Sequence, residues 1–154
     1  MRARTMMVTL AAATVLLAGC SPQEGTDMTP DQARDNLIAL IESTAAELGG
    51  AWEDPIQPYP EGCTMSGGAS GVRYNSGAGS APSADPEVDA ERVAEYWRSL
   101  GMEARVVLDP PAAVFATGGA STNISFDAGP QSSSILGSSV CVPGDPIEEQ
   151  ERNS

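Results

Sequence analysis

Between residues 103 and 142 the chain holds short apolar segments separated by little more than turn residues, and this spacing narrows its possible folds more than any other feature. Glu103 to Leu108 alternates as a strand does, and Asp109-Pro110-Pro111 breaks it. Val114-Phe115-Ala116 begins a second segment, Gly118-Gly119 turns the chain, and Ile124-Ser125-Phe126 alternates again. Gly129-Pro130 makes another turn, Ser134 to Val142 reads as the last strand, and Pro143-Gly144 ends it. Turns this short join antiparallel neighbours, because a parallel partner needs a crossover of a dozen residues or more.

Two amphipathic helices precede and interrupt the strands. Thr29-Pro30-Asp31-Gln32 opens the first with a cap, a proline at the first helical position and a capping-box glutamine. Ala33, Leu37, Leu40, Ile41, Ala45 and Leu48 keep to one face of a helix over 30–48, and Gly49-Gly50 stops it. Asp85 and Pro86 open the second. Its Val93, Tyr96, Trp97 and Leu100 share a face, and Gly101 ends it. Two such helices need an apolar surface to cover. The expected fold is α+β: a two-layer sandwich, mainly antiparallel sheet with two helices packed on one face. Residues 51–68, with Pro55, Pro58 and Pro60, read as an irregular connection. Val72-Arg73-Tyr74 reads as a short strand. Gly77-Ala78-Gly79-Ser80, continuing to about residue 84, reads as a mobile loop, and the acidic segment 145–154 as a disordered tail.

The N-terminus predicts export. Arg2 and Arg4 stand before an uncharged apolar run from Met6 to Leu17. That run is too short to span a bilayer core, which takes roughly 20 residues, but it suits a cleaved signal. Leu17-Ala18-Gly19-Cys20 resembles a lipobox, in which small residues admit the extended backbone to the signal protease and the cysteine thiol takes a diacylglyceryl group. Two acyl chains make such an anchor effectively permanent. The expected organisation is a lipoprotein signal peptide (1–19), a lipidated tether (20–28), a single α+β domain (29–144) and the tail.

Loss of Arg2 and Arg4 with the signal would take the net charge from −13 to about −15. An acidic body with no basic patch excludes nucleic acid, since it has nothing to displace phosphate counterions. The chain has no histidine and no lysine. That removes Ser-His-Asp and Cys-His systems, histidine-based zinc sites and lysine nucleophiles. With Cys20 assigned to lipid, Cys63 and Cys141 remain as a pair. In an exported chain their default is a disulfide, with free thiols or a redox pair as the alternatives, although CxxC spacing is lacking.

No catalytic or metal signature stands out. Asp85, Glu87, Asp89 and Glu91 alternate, but an EF-hand loop starting at Asp85 would need Gly and Glu where Ala90 and Tyr96 stand. They read as acids at the positive end of a helix. Neither glycine-rich run matches a phosphate-binding fingerprint, and no cofactor is expected. The candidate ligand-binding residues are Trp52 and Tyr59, in an aromatic–proline stretch able to pack on a glycan or peptide. The competing structural role has Trp52 plugging the end of the first helix and Tyr59 lidding the core.

Gly49-Gly50, Trp52, Cys63, the passage from Trp97 to Val107 and Ser139-Val140-Cys141 together carry a resemblance. With the lipobox, they make the chain similar to small actinobacterial lipoproteins of the LppA-like kind. The resemblance implies an envelope lipoprotein of this fold class and no assigned activity. The functional expectation is a non-enzymatic binding or accessory module, lipid-anchored through Cys20 on the extracytoplasmic face of the cell membrane. Its partner would be an envelope protein or a cell-wall component. The alternative is an envelope hydrolase that depends on carboxylates or an unconventional serine.

Overall fold

The computed structural model describes residues 27–153. The expected signal peptide, Cys20 and the expected tether up to residue 26 lie outside the described residues. The elements run α1 (Pro30–Leu48), β1 (Tyr59–Thr64), β2 (Ser70–Ser80), α2 (Pro86–Ser99), β3 (Glu103–Val107), β4 (Ala112–Gly118), β5 (Ser121–Ala128), β6 (Ser133–Ser139) and α3 (Pro146–Arg152). The strands form one sheet in the order β1-β2-β6-β5-β4-β3, and every adjacent pair is antiparallel. The expected α+β class and antiparallel sheet are therefore found.

Both main helices start as their sequences dictate. Thr29 Oγ1 accepts from the Gln32 amide, and the Gln32 side chain accepts from the Thr29 amide in return. Asp85 caps α2 by accepting from the Val88 amide. The helices lie on one face of the sheet, where Leu37, Ile41, Val93 and Trp97 meet Tyr74, Val114, Ile124, Phe126 and Ile135 in one buried cluster. Trp97 is fully buried, and its indole N–H donates to Thr44 Oγ1 at 2.9 Å. Thr44 in turn donates to the Leu40 carbonyl, so this buried polar pair between α1 and α2 is satisfied within the protein.

Cys63 and Cys141 form a disulfide across a sequence separation of 78 residues. It stands where β2 is joined to the end of the chain: Val72 and Val142 exchange both backbone hydrogen bonds, at 2.9 and 3.0 Å. Gly71 lies beneath it, and a Cβ there would fall 2.5 Å from the Val142 carbonyl and 3.0 Å from Cys141 Sγ.

Four expectations change. The Gly77–Ser80 run is not a mobile loop but the second half of β2, paired with β6 from Asn75↔Ser138 to Ser80↔Ser133. Its small residues serve packing: a Cβ on Gly77 would meet Leu136 Cδ2 at 2.5 Å and the Ile135 carbonyl at 2.6 Å. The proline-rich connection 51–68 contains strand β1, which accepts Pro60 because it is an edge strand. The final strand stops at Ser139, and the chain bulges before the Val142 bridge. The acidic tail forms α3 rather than staying disordered. Asp145 caps it through the Ile147 and Glu148 amides, with Pro146 in its first turn.

A buried carboxylate fixes α3. Glu149 is 3% exposed. It accepts from the fully buried Tyr74 hydroxyl at 2.6 Å and pairs with Arg152. Arg34 of α1 donates to Asn153, and Asp31 lies within ion-pair reach of Arg152, so the helix also ties to α1. The general rule that an acidic segment remains solvated fails here because one of its acids finds two partners at the core's edge.

Two predictions follow from this packing. Replacing Cys63 and Cys141 by alanine lowers stability by about 2–5 kcal/mol, as closure of so long a loop implies; denaturant melts with and without reductant measure it. Burial raises the Tyr74 phenol above its ordinary value. Tyr74 thus binds its proton more tightly folded than unfolded, its contribution is complete below about pH 10, and stability falls as pH rises further. Tyr74→Phe costs about 1–3 kcal/mol at neutral pH and flattens that alkaline slope, read from urea melts between pH 8 and 11.

Candidate functional site

The helices cover only one face of the sheet, and the other face carries a large concavity. Strand alternation decides what lines it. On β3 to β6, Ala104, Val114, Ala116, Ile124, Phe126 and Ile135 point to the helices. Arg105, Phe115, Thr117, Asn123, Ser125, Leu136 and Ser138 point away. Two neighbouring rows of the opposite face line the concavity, and a third, running from Val107 through Ala113, Asp127 and Ser134 to Gly79, lies beside them.

The first row carries the large apolar side chains, with Ser125, whose hydroxyl donates to Asp127, between Phe115 and Leu136. Register pairs Arg105 with Phe115, Phe115 with Ser125, Ser125 with Leu136, and Leu136 with Gly77. Beyond Gly77 the Ile56 amide donates to the Gly77 carbonyl at 2.8 Å, which brings Ile56 to the end of the row. Because Gly77 has no side chain, Leu136 lies flat across its position. The second row is polar. Glu103 pairs with Thr117, Asn123 with Ser138, Ser138 with Asn75, and Asn75 with Tyr59. Ser138 donates to Asn75 Oδ1 at 2.5 Å, and the Asn75 amide donates to Glu61 at 3.1 Å. That amide first, and the Arg73 guanidinium second, hold the Glu61 carboxyl below the usual carboxylate range.

The rows line a concavity of about 870 Å³. Ile56 is 56% exposed, Tyr59 57%, Leu136 51% and Phe115 42%. Scattered exposed apolar residues need no explanation, but four large ones lining a single hollow make this face the candidate interaction surface. Arg105 lies over the Phe115 ring at 5.1 Å. Arg98, from the end of α2, donates to the Ala104 carbonyl at 3.0 Å on the free edge of β3 and reaches the same concavity. Another hollow, of about 520 Å³, lies between the Pro82–Glu87 segment and the Pro110-Pro111 turn.

The two aromatic candidates part company. Trp52 donates its indole N–H to the Gly49 carbonyl at 3.1 Å, bridges Ser80 and packs against the core, so it closes the end of α1. Tyr59 does not lid the core; it stands exposed at the far end of the polar row. The cysteine pair adjoins the same face through Gly71 but is spent in the disulfide. Phe115 and Leu136 escaped the sequence reading. Their signal was two adjacent apolar residues in one strand, Val114-Phe115 and Ile135-Leu136, where one of each pair must face away from the core.

The acids at the start of α2 serve the helix: Asp85 caps, and Asp89 accepts from Ser83 and pairs with Arg92. Among the described residues no group of three or more His, Cys, Asp or Glu is placed to hold a metal ion, and no helix is long and apolar enough to cross a membrane.

No family model matches the chain, and no curated protein matches it. Among solved structures it is similar to a DUF4853 family protein from Actinomyces odontolyticus, with a TM-score of 0.53 and 18% identity over 75% of this chain and 67% of that one. At that identity the likeness speaks for the fold alone: the same sheet-and-helix arrangement occurs in an actinobacterial protein of very different sequence.

Proposed function

We propose that this protein is a membrane-anchored extracytoplasmic lipoprotein that acts as a non-enzymatic binding module, with the uncovered sheet face as its working surface. The observation that carries the reading is the hollow bearing Ile56, Tyr59, Phe115 and Leu136 on a sheet whose other face is fully used by helices. A face left open and apolar carries a continuing cost in solubility, and occupation by a ligand or partner offsets it.

The anchor half of the proposal rests on the sequence, on Leu17-Ala18-Gly19-Cys20 behind a short apolar run. It includes kinship with the LppA-like lipoproteins, which rests on the residues quoted for that resemblance. The binding half is supported by composition as well. With no histidine or lysine, the chain offers few groups suited to proton transfer near neutrality. The partners expected are the membrane, through the Cys20 lipid, and a component of the cell envelope.

Cells fed a fatty-acid analogue should label the wild-type protein and leave Cys20→Ser unlabelled. Label retained by that variant, or absent from the wild type, overturns the anchor.

A further inference from the structure

The two arginines that line the concavity, Arg98 and Arg105, differ from the other described arginines. Arg34 pairs with Asp31 at 3.0 Å, Arg73 with Glu61 at 2.9 Å, Arg92 with Asp89 at 3.1 Å, and Arg152 with Glu149. Arg98 and Arg105 form no ion pair among the described residues, in a chain whose acids outnumber its basic residues 21 to 8. Both line the same end of the same hollow. Each is held in place by a contact that leaves charge and donors free. Arg105 is stacked on Phe115, and Arg98 spends one N–H of its five on the Ala104 carbonyl.

From that end the first row runs across the sheet through Phe115, the small Ser125, Leu136 and Gly77 to Ile56. Five interstrand spacings separate β3 from β1, roughly 24 Å at about 4.8 Å each. The hollow's volume lies within the range of small-molecule sites, about 300–1,000 Å³. A cationic end joined to a narrow apolar track complements a molecule with an anionic head and one flexible apolar chain. With Arg105 over the Phe115 ring, the row beyond it offers exposed aliphatic Leu136 and Ile56, which suit an acyl chain.

We infer that the uncovered face binds a single-chain amphiphile with a phosphate head, of the kind a membrane supplies as a lipid monomer. Arg98 and Arg105 take the head, and the Phe115–Leu136–Ile56 row takes the chain. This rests on the open face being the binding surface. Glu103 lies two residues from Arg105 on the same face of β3 and lines the same end. Its carboxylate opposes an anion, so the head lies on the Phe115 side of Arg105.

Calorimetric titration of the full chain at low ionic strength tests this, because salt screens exposed charges within about 8–10 Å. The probes are dodecyl phosphate and dodecyl maltoside, both below their micellar concentrations, and inorganic phosphate. Dodecyl phosphate should bind, dodecyl maltoside more weakly, and inorganic phosphate alone not measurably. Joint substitution R98Q/R105Q should weaken dodecyl phosphate by about tenfold or more, the scale of one charge-assisted hydrogen bond. Glu103→Gln should strengthen it. Leu136→Ser should weaken both amphiphiles, with unchanged thermal melts showing that each variant is folded. Absence of dodecyl phosphate binding to the wild type, as a peptide or glycan partner would give, overturns the inference. So does equal binding of the two amphiphiles that ignores R98Q/R105Q; if Leu136→Ser still weakens both, only the head assignment falls. Binding untouched by Leu136→Ser overturns the reading of the face itself.

Discussion

The pairing of β2 with β6 holds this molecule together. β1 and β2 form one hairpin, and β3 to β6 form an antiparallel meander, each joined by local turns. Within the sheet the β2–β6 ladder unites them, bringing residues 75–80 against 133–138. Such a contact costs chain entropy before it stabilises anything. The disulfide, the Val72–Val142 bridge and the Tyr74–Glu149 hydrogen bond all lie at or beside this junction. The long-range pairing thus carries three separate reinforcements: covalent, backbone and side-chain.

The same junction shapes the open face. For β2 to lie against β6 under Leu136, position 77 can carry no side chain. Leu136 then spreads over the glycine and remains exposed, continuous with Phe115 on one side and Ile56 on the other. The residue that permits closure of the sheet also levels the floor of the hollow. Fold and candidate site are two consequences of one close approach.

Legibility of the sequence followed the locality of the interactions. Both helices, with the Thr29 and Asp85 caps, and the 103–139 meander depend on contacts within a few residues, and local pattern shows them. The Gly77–Ser80 run and the acidic tail depend on distant partners. Glycine required by a neighbouring strand and glycine in a linker look alike in sequence, and nothing near Glu149 announces Tyr74, 75 residues away. The cysteine pair was readable because its logic is arithmetic rather than positional. On the open face Tyr59 is legible because its prolines, Pro58 and Pro60, mark an aromatic outside an ordinary strand pattern. Phe115 and Leu136 required knowing which face of the sheet the helices cover.

The central claim, that the uncovered sheet face meets the protein's partner in the envelope, is tested most directly by photocrosslinking in intact cells. A photoreactive residue at Leu136 or Phe115 is compared with one at Val88, which is 49% exposed on α2. Crosslinks to a defined lipid or envelope component from positions 136 and 115, and none from position 88, are the result expected. Crosslinks from position 88 alone would contradict it.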